Sequence, residues 1–92
     1  MELFEAIGFV KRGKNRFEVF KALDRPLMPS ELTKKMYNTA SNTYFNMVSR
    51  ALGELLEKGL VKVINPNERT GRIYDKTDFG KEVENKIKEL EN

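Results

Sequence analysis

The chain has 92 residues, with 17 Lys and Arg against 14 Asp and Glu, a net charge of +3, and neither cysteine nor histidine. This length suits one domain with a single modest core, and the missing Cys and His exclude a disulfide framework, thiolate or imidazole metal sites, and His-assisted nucleophilic catalysis. No apolar run approaches the roughly 20 residues of a membrane span, and the first residues lack a basic-then-apolar signal pattern, so the expectation is a cytoplasmic protein, not an enzyme, with no cofactor and no small-molecule ligand.

Leu3, Phe4, Ile7 and Val10 recur at helical spacing and predict a short N-terminal helix that Gly8 weakens. Gly13-Lys14-Asn15 breaks the pattern, and Asn15 suits the N-cap of a second helix, Arg16 to Leu23, carrying Phe17, Val19, Phe20 and Leu23. Asp24-Arg25-Pro26 stops that helix, and Leu27-Met28 reads as a short extended stretch. Pro29 fits the first helical position and Glu31 the first turn of the next helix, whose apolar stripe is Leu32 and Met36. After a turn at Tyr37-Asn38-Thr39-Ala40, Ser41 or Asn42 caps the longest helix, which runs to Lys58. Phe45, Val48, Leu52, Leu55 and Leu56 form its expected core face. Lys58-Gly59-Leu60 ends it with a cation in the last turn, glycine at the left-handed position and an apolar residue after it. Leu60 to Asn65 and Arg72 to Lys76 have strand composition, with loop composition between them. Thr77 caps a final helix whose stripe is Phe79, Val83, Ile87 and Leu90.

Between Glu31 and Glu54 the chain carries no acidic residue. A carboxylate loses energy wherever it approaches phosphates, so this gap suits a surface that faces a polyanion. Its only charges are Lys34, Lys35 and Arg50, and its Ser, Thr, Asn and Tyr side chains can meet phosphate oxygens and base edges. Charge is polarised along the chain as well: residues 25–58 and 59–76 each sum to +2, whereas 77–92 sum to −2.

The order helix, short strand, helix, helix, strand, loop, strand, helix is that of a winged helix. The expected fold class is α+β, mainly α: a winged helix-turn-helix with a two-stranded β-wing and extra N- and C-terminal helices. One domain spans 1–92, with a helix in 1–12, the winged-helix core in 13–76 and a C-terminal helix in 77–92. Several phrases carry a likeness: Asn15-Arg16 opening a helix that ends in Ala22-Leu23; Pro29-Ser30-Glu31-Leu32; Val48-Ser49-Arg50-Ala51-Leu52; Glu54 through Val61; and Gly71-Arg72-Ile73-Tyr74 followed by Thr77 and Gly80. On these, over roughly residues 13–83, the chain resembles archaeal and bacterial winged-helix transcriptional regulators of the MarR/ArsR-like group. It departs from them in a longer stretch between Leu32 and Val48, in Met28 where a Ser or Thr cap is common, and in Lys76 where Leu usually precedes the Thr.

Motif geometry assigns roles to the polar residues. Ser41, Asn42, Thr43 and Tyr44 at the start of the long helix can donate to phosphate, helped by the positive helix end. Asn46 can pair with adenine, and Arg50 with guanine or, lying further along, with a phosphate. Lys34 and Lys35 sit on the helix that crosses the backbone, and Arg69 and Arg72 flank the wing tip, where they can enter a minor groove or hold phosphates. Met47 can touch a thymine methyl or pack on a neighbour. The basic run Lys11, Arg12, Lys14 and Arg16 reads first as a solubilising surface. The bland alternative for all these positions is an ordinary solvated face.

Leu3, Phe4 and Ile7, together with Phe79, Val83, Ile87 and Leu90, are the expected dimerisation residues; packing within one chain is the alternative. The resulting expectation is a homodimeric, sequence-specific duplex-DNA-binding transcription regulator that uses helix 41–58 in the major groove and the wing at 65–72. A protein-protein adaptor in a larger assembly is the alternative, and RNA or single-stranded nucleic-acid binding the third reading.

Overall fold

The computed structural model describes residues 1–39 and 41–91; Ala40, expected in a turn, and Asn92, at the end of the C-terminal segment, lie outside the described residues. Among those described, five helices and two strands follow as α1 (Leu3–Arg12), α2 (Lys14–Ala22), α3 (Pro29–Tyr37), α4 (Asn42–Glu57), β1 (Val61–Val63), β2 (Tyr74–Lys76) and α5 (Asp78–Glu91). The chain is mainly helical, with a two-stranded antiparallel sheet. No helix among the described residues is long and apolar enough to cross a membrane.

Local chemistry sets most boundaries. Glu2 caps α1 by accepting the Glu5 N–H at 2.6 Å, a capping box that satisfies donors at the helix start. α2 begins at Lys14 with Gly13 as N-cap, so Asn15 lies exposed in the first turn and does not cap it. A Cβ at Gly13 would stand 2.8 Å from Arg16 Cζ, so glycine lets the Arg16 side chain fold over the junction of α1 and α2. Pro29 opens α3, and the Glu31 carboxylate accepts the Met28 N–H at 2.8 Å, which explains how Met can stand where a hydroxyl cap is common. Asn38 ends α3 in the left-handed region at φ 53. Ser41 holds the N-cap position of α4, but its side chain makes no capping bond.

The end of α4 follows the expected glycine stop, although the helix closes at Glu57 and Lys58 is its C-cap, so no cation lies in the last turn. Gly59 has φ +74, its N–H bonds Leu56 O at 3.0 Å, and Leu60 N–H bonds Leu55 O at 3.0 Å. These paired bonds form a Schellman motif and satisfy carbonyls that the helix leaves open. Thr77 Oγ1 accepts the Gly80 N–H at 3.0 Å, as expected of an N-cap, and donates to Gly59 O at 2.7 Å. One hydroxyl thus fastens the start of α5 to the end of α4.

The strands are shorter than expected. Val61 pairs with Lys76, Lys62 with Asp75 and Val63 with Tyr74, and Leu27 makes an isolated bridge to Tyr74. Asn65 ends the ladder: its side chain accepts the Ile73 N–H at 2.7 Å and donates to Gly71 O at 3.0 Å.

Helices α2, α3 and α4 pack together around Phe20, Leu23, Leu32, Val48, Leu52 and Leu55, all buried. Truncating one of these leucines to Ala costs about 2–5 kcal/mol in a core. Two expected core residues of α4, Phe45 and Leu56, are instead 37% exposed, because they stand at the edge of its apolar arc. α1 packs on α5 within the chain, and Ile7, Val83 and Ile87 are core residues there, with Lys11 Nζ 3.6 Å from Glu91. The dimer expectation is corrected for these three: their apolar surface is already covered. Leu3 and Phe79 are half-buried, and Phe4 and Leu90 are 61% and 58% exposed.

Candidate nucleic-acid interface

With Val48, Ala51, Leu52 and Leu55 turned inward, the helical period sends Thr43, Asn46 and Arg50 outward, and all three are exposed. Asn42 and Tyr44 are exposed at the helix start, and Ser41 is half-exposed. Tyr44 stacks on Tyr37 with ring centroids 4.3 Å apart, which fixes its ring against the end of α3. Met47 is half-buried towards the start of α2, so packing describes it better than an outward contact. Glu54 also turns towards α2, and the exposed Glu57 comes at the helix end.

On one flank of this face, α3 and α4 enclose a cleft of about 390 Å³ lined by Ser30, Thr33, Lys34, Asn42 and Phe45 among others. The sequence assigned Phe45 to the core and so missed it here; its place at the margin of the apolar stripe, next to Asn42, was the available signal. Lys34 is exposed on this cleft. Lys35 is not available in the same way: its Nζ bonds Ala22 O at 2.6 Å and stands 2.9 Å from Asp24. That hydrogen bond from Lys35 holds the Asp24 carboxyl below its usual 3.8. Lys35 therefore serves the end of α2, which leaves Lys34 as the freer of the two lysines on α3.

On the other flank the basic run divides. Lys11 pairs with Glu91, and Arg16 Nη1 lies 3.2 Å from Glu54 while its Nε donates to Phe9 O at 2.8 Å. Lys14 is exposed and lines the same groove as Arg50, a juxtaposition that sequence separation concealed.

Arg69 and Arg72 are exposed on the loop between β1 and β2. Asn65 braces that loop, and Gly71, at φ +67, lies against Met28. Among the described residues Lys14, Lys34, Arg50, Arg69 and Arg72 form no ion pair, and neither do Arg12, Lys58, Lys62 and Lys81; four of the eight paired cations lie on α2 and α5.

Away from this face, Lys76 is buried, its Nζ 2.6 Å from Glu84 and 4.7 Å from the centre of the Phe20 ring. Desolvation lowers its pKa, partly opposed by the bond to Glu84.

On the outward face of α4 the exposed side chains Asn42, Thr43, Asn46 and Arg50 are amides, a hydroxyl and a cation, groups that hydrogen-bond and carry charge. Comparison of the chain with family models, curated proteins and solved structures gives no match.

Proposed function

We propose that the protein is a winged helix-turn-helix transcription regulator of MarR/ArsR-like type that binds duplex DNA, with α4 in the major groove and the β1–β2 loop as the wing. The observation that carries the reading is the outward face of α4: Thr43, Asn46 and Arg50 are exposed along a surface with no carboxylate from Asn42 to Gly53. A helix about 10–12 Å across fits a major groove about 12 Å wide, and its N-terminal residues reach base edges. Cations without an ion pair among the described residues support the reading on either side, Lys34 towards α3 and Arg69 and Arg72 on the wing. Asn46 takes the base-reading role, and Ser41, Asn42, Thr43 and Tyr44 donate to phosphate. Two copies pair across a two-fold axis that matches a palindromic site, and of the residues expected at that contact Phe4 and Leu90 are the exposed ones.

The second reading is a protein-protein adaptor. The exposed Phe45 at the α3–α4 cleft favours it, since aromatic anchors in pockets carry binding energy at protein interfaces. Selection of bound sequences from random duplex DNA at about 150 mM salt separates the two. A palindromic motif is the result expected of the regulator; no enrichment at all would transfer the surface to a protein partner.

A further inference from the structure

The groove between the start of α2 and the middle of α4 holds charge that the reading above leaves unassigned. It measures about 280 Å³ and is lined by Lys14, Arg16, Met47, Arg50 and Glu54, with Gly13 at its edge. Glu54 is its one carboxylate, and Arg16 stands against it at 3.2 Å. Arg16 is itself fixed, donating from Nε to Phe9 O at 2.8 Å and lying 3.8 Å from the centre of the Phe9 ring. It therefore belongs to the wall, and the acid is already answered. Lys14 and Arg50 remain, both exposed and, among the described residues, without an ion-pair partner. Two cations converging on a groove without a free carboxylate repel each other unless an anion joins them.

Position along the helix identifies the anion. Arg50 lies eight residues beyond Asn42, about 12 Å along the axis at 1.5 Å per residue. A helix entering a major groove by its N-terminus has its base-reading residues in the first turns. Its third turn is level with the groove's rim, where phosphates stand. Arg50 also lines the groove that Lys14 lines from the start of α2.

We propose that Lys14 and Arg50 together hold one backbone phosphate at the rim of the major groove. Arg50 is then a backbone clamp, and base reading on α4 falls to Asn46. The inference rests on the duplex-DNA reading above and adds a contact from α2 to it.

The test measures binding of the full chain to two duplexes of equal length, the sequence enriched from the random pool and an unrelated one, across a salt series. Lys14→Gln and Arg50→Gln should each lose about fivefold in affinity at 0.15 M salt on both duplexes, with the log–log salt slope reduced by about 0.9. Arg50→Lys, which keeps the charge but not the planar fork, should stay within about twofold of wild type on both duplexes, since a phosphate accepts a point charge in place of the fork. Wild-type binding by Lys14→Gln overturns the clamp. So does an Arg50→Gln protein that keeps its salt slope but loses preference at one base position; in both cases the DNA reading stands. A wild-type protein with no salt-dependent affinity for either duplex removes both.

Discussion

The Lys76 ammonium stands 2.6 Å from the Glu84 carboxylate and ties strand β2 to helix α5, with the lysine side chain 4% exposed and the glutamate 24%. The two partners are unequal. Glu84 keeps contact with water and has Lys88 at 4.0 Å, whereas Lys76 has Glu84 as its counter-charge and the Phe20 ring beside it. Breaking a buried pair costs roughly 3–5 kcal/mol when a charge is stranded. Glu84→Gln should fall near the lower end of that range, because its own carboxylate is partly solvated. Lys76→Met strands nothing buried and replaces an apolar stem of similar volume, so it should cost less than about 1.5 kcal/mol. Chemical denaturation of both variants decides it; equal losses would mean that the pair is not asymmetric.

The same lysine predicts a pH dependence. Burial lowers its folded pKa below the ordinary 10.5, so between those two values the unfolded chain binds more protons than the folded one. The penalty for charging Lys76 is fully present below its folded pKa and lifts as pH rises towards 10.5. The stability of wild type relative to Lys76→Met should therefore improve with pH through the alkaline range. A difference that stays flat, or moves the other way, would show that the buried ammonium carries no net desolvation cost.

Glycines on either side of the α4 terminus should answer oppositely to alanine. A Cβ on Gly80 would run into the Leu60 carbonyl oxygen, because Thr77 pulls the start of α5 onto that turn. Gly80→Ala should destabilise at or beyond the top of the roughly 1–3 kcal/mol typical of overpacking, since backbone and not a side-chain tip must move. Gly53 is helical, exposed and has nothing within 4 Å of such a Cβ, so Gly53→Ala should stabilise by about 0.5–1 kcal/mol. Thermal unfolding of the pair reads both signs at once.

What the sequence revealed divides along the range of the interactions. Pro29, the Lys58-Gly59-Leu60 stop and the Thr77 cap were legible because each is a property of a few neighbouring backbone groups. The exposure of Thr43, Asn46 and Arg50 followed from helical period alone. Phe45 and Leu56 were misplaced because period identifies an arc and not how far the neighbours extend over its edge. Lys35 and Arg16 were beyond sequence reasoning for another reason: their partners, Ala22 and Asp24 for one and Phe9 and Glu54 for the other, are brought in by tertiary packing. The stripe Phe79, Val83, Ile87, Leu90 announces an apolar face without naming its partner, and within this chain α1 covers the middle of it.

That outcome narrows the test of self-association. Truncating α5 would open the core at Val83 and Ile87, so a changed sedimentation profile would be uninterpretable. Phe4→Ser combined with Leu90→Ser touches only exposed side chains, and surface substitutions of this kind usually change stability by less than about 0.5 kcal/mol each. Sedimentation equilibrium should show a lower dimer fraction with the thermal midpoint nearly unchanged. An unaltered profile would place any two-fold contact elsewhere on the chain.

Asn46 and Arg69 make the sharpest contrast on the proposed DNA surface. Asn46 stands near the N-terminal end of α4 on its outward face, where a carboxamide can both donate to and accept from adenine. Asn46→Ala should cost about 1–3 kcal/mol on the selected sequence and little on an unrelated duplex, relaxing preference at one base position. Arg69 sits on the exposed loop braced by Asn65, where charge and groove width are what it can sense. Arg69→Ala should weaken binding on every duplex alike and reduce the salt slope by about one. Binding isotherms for both variants on both duplexes give four values whose pattern matters more than any one of them. If Asn46→Ala weakened both duplexes equally while Arg69→Ala changed base preference, the roles of helix and wing would have to be exchanged.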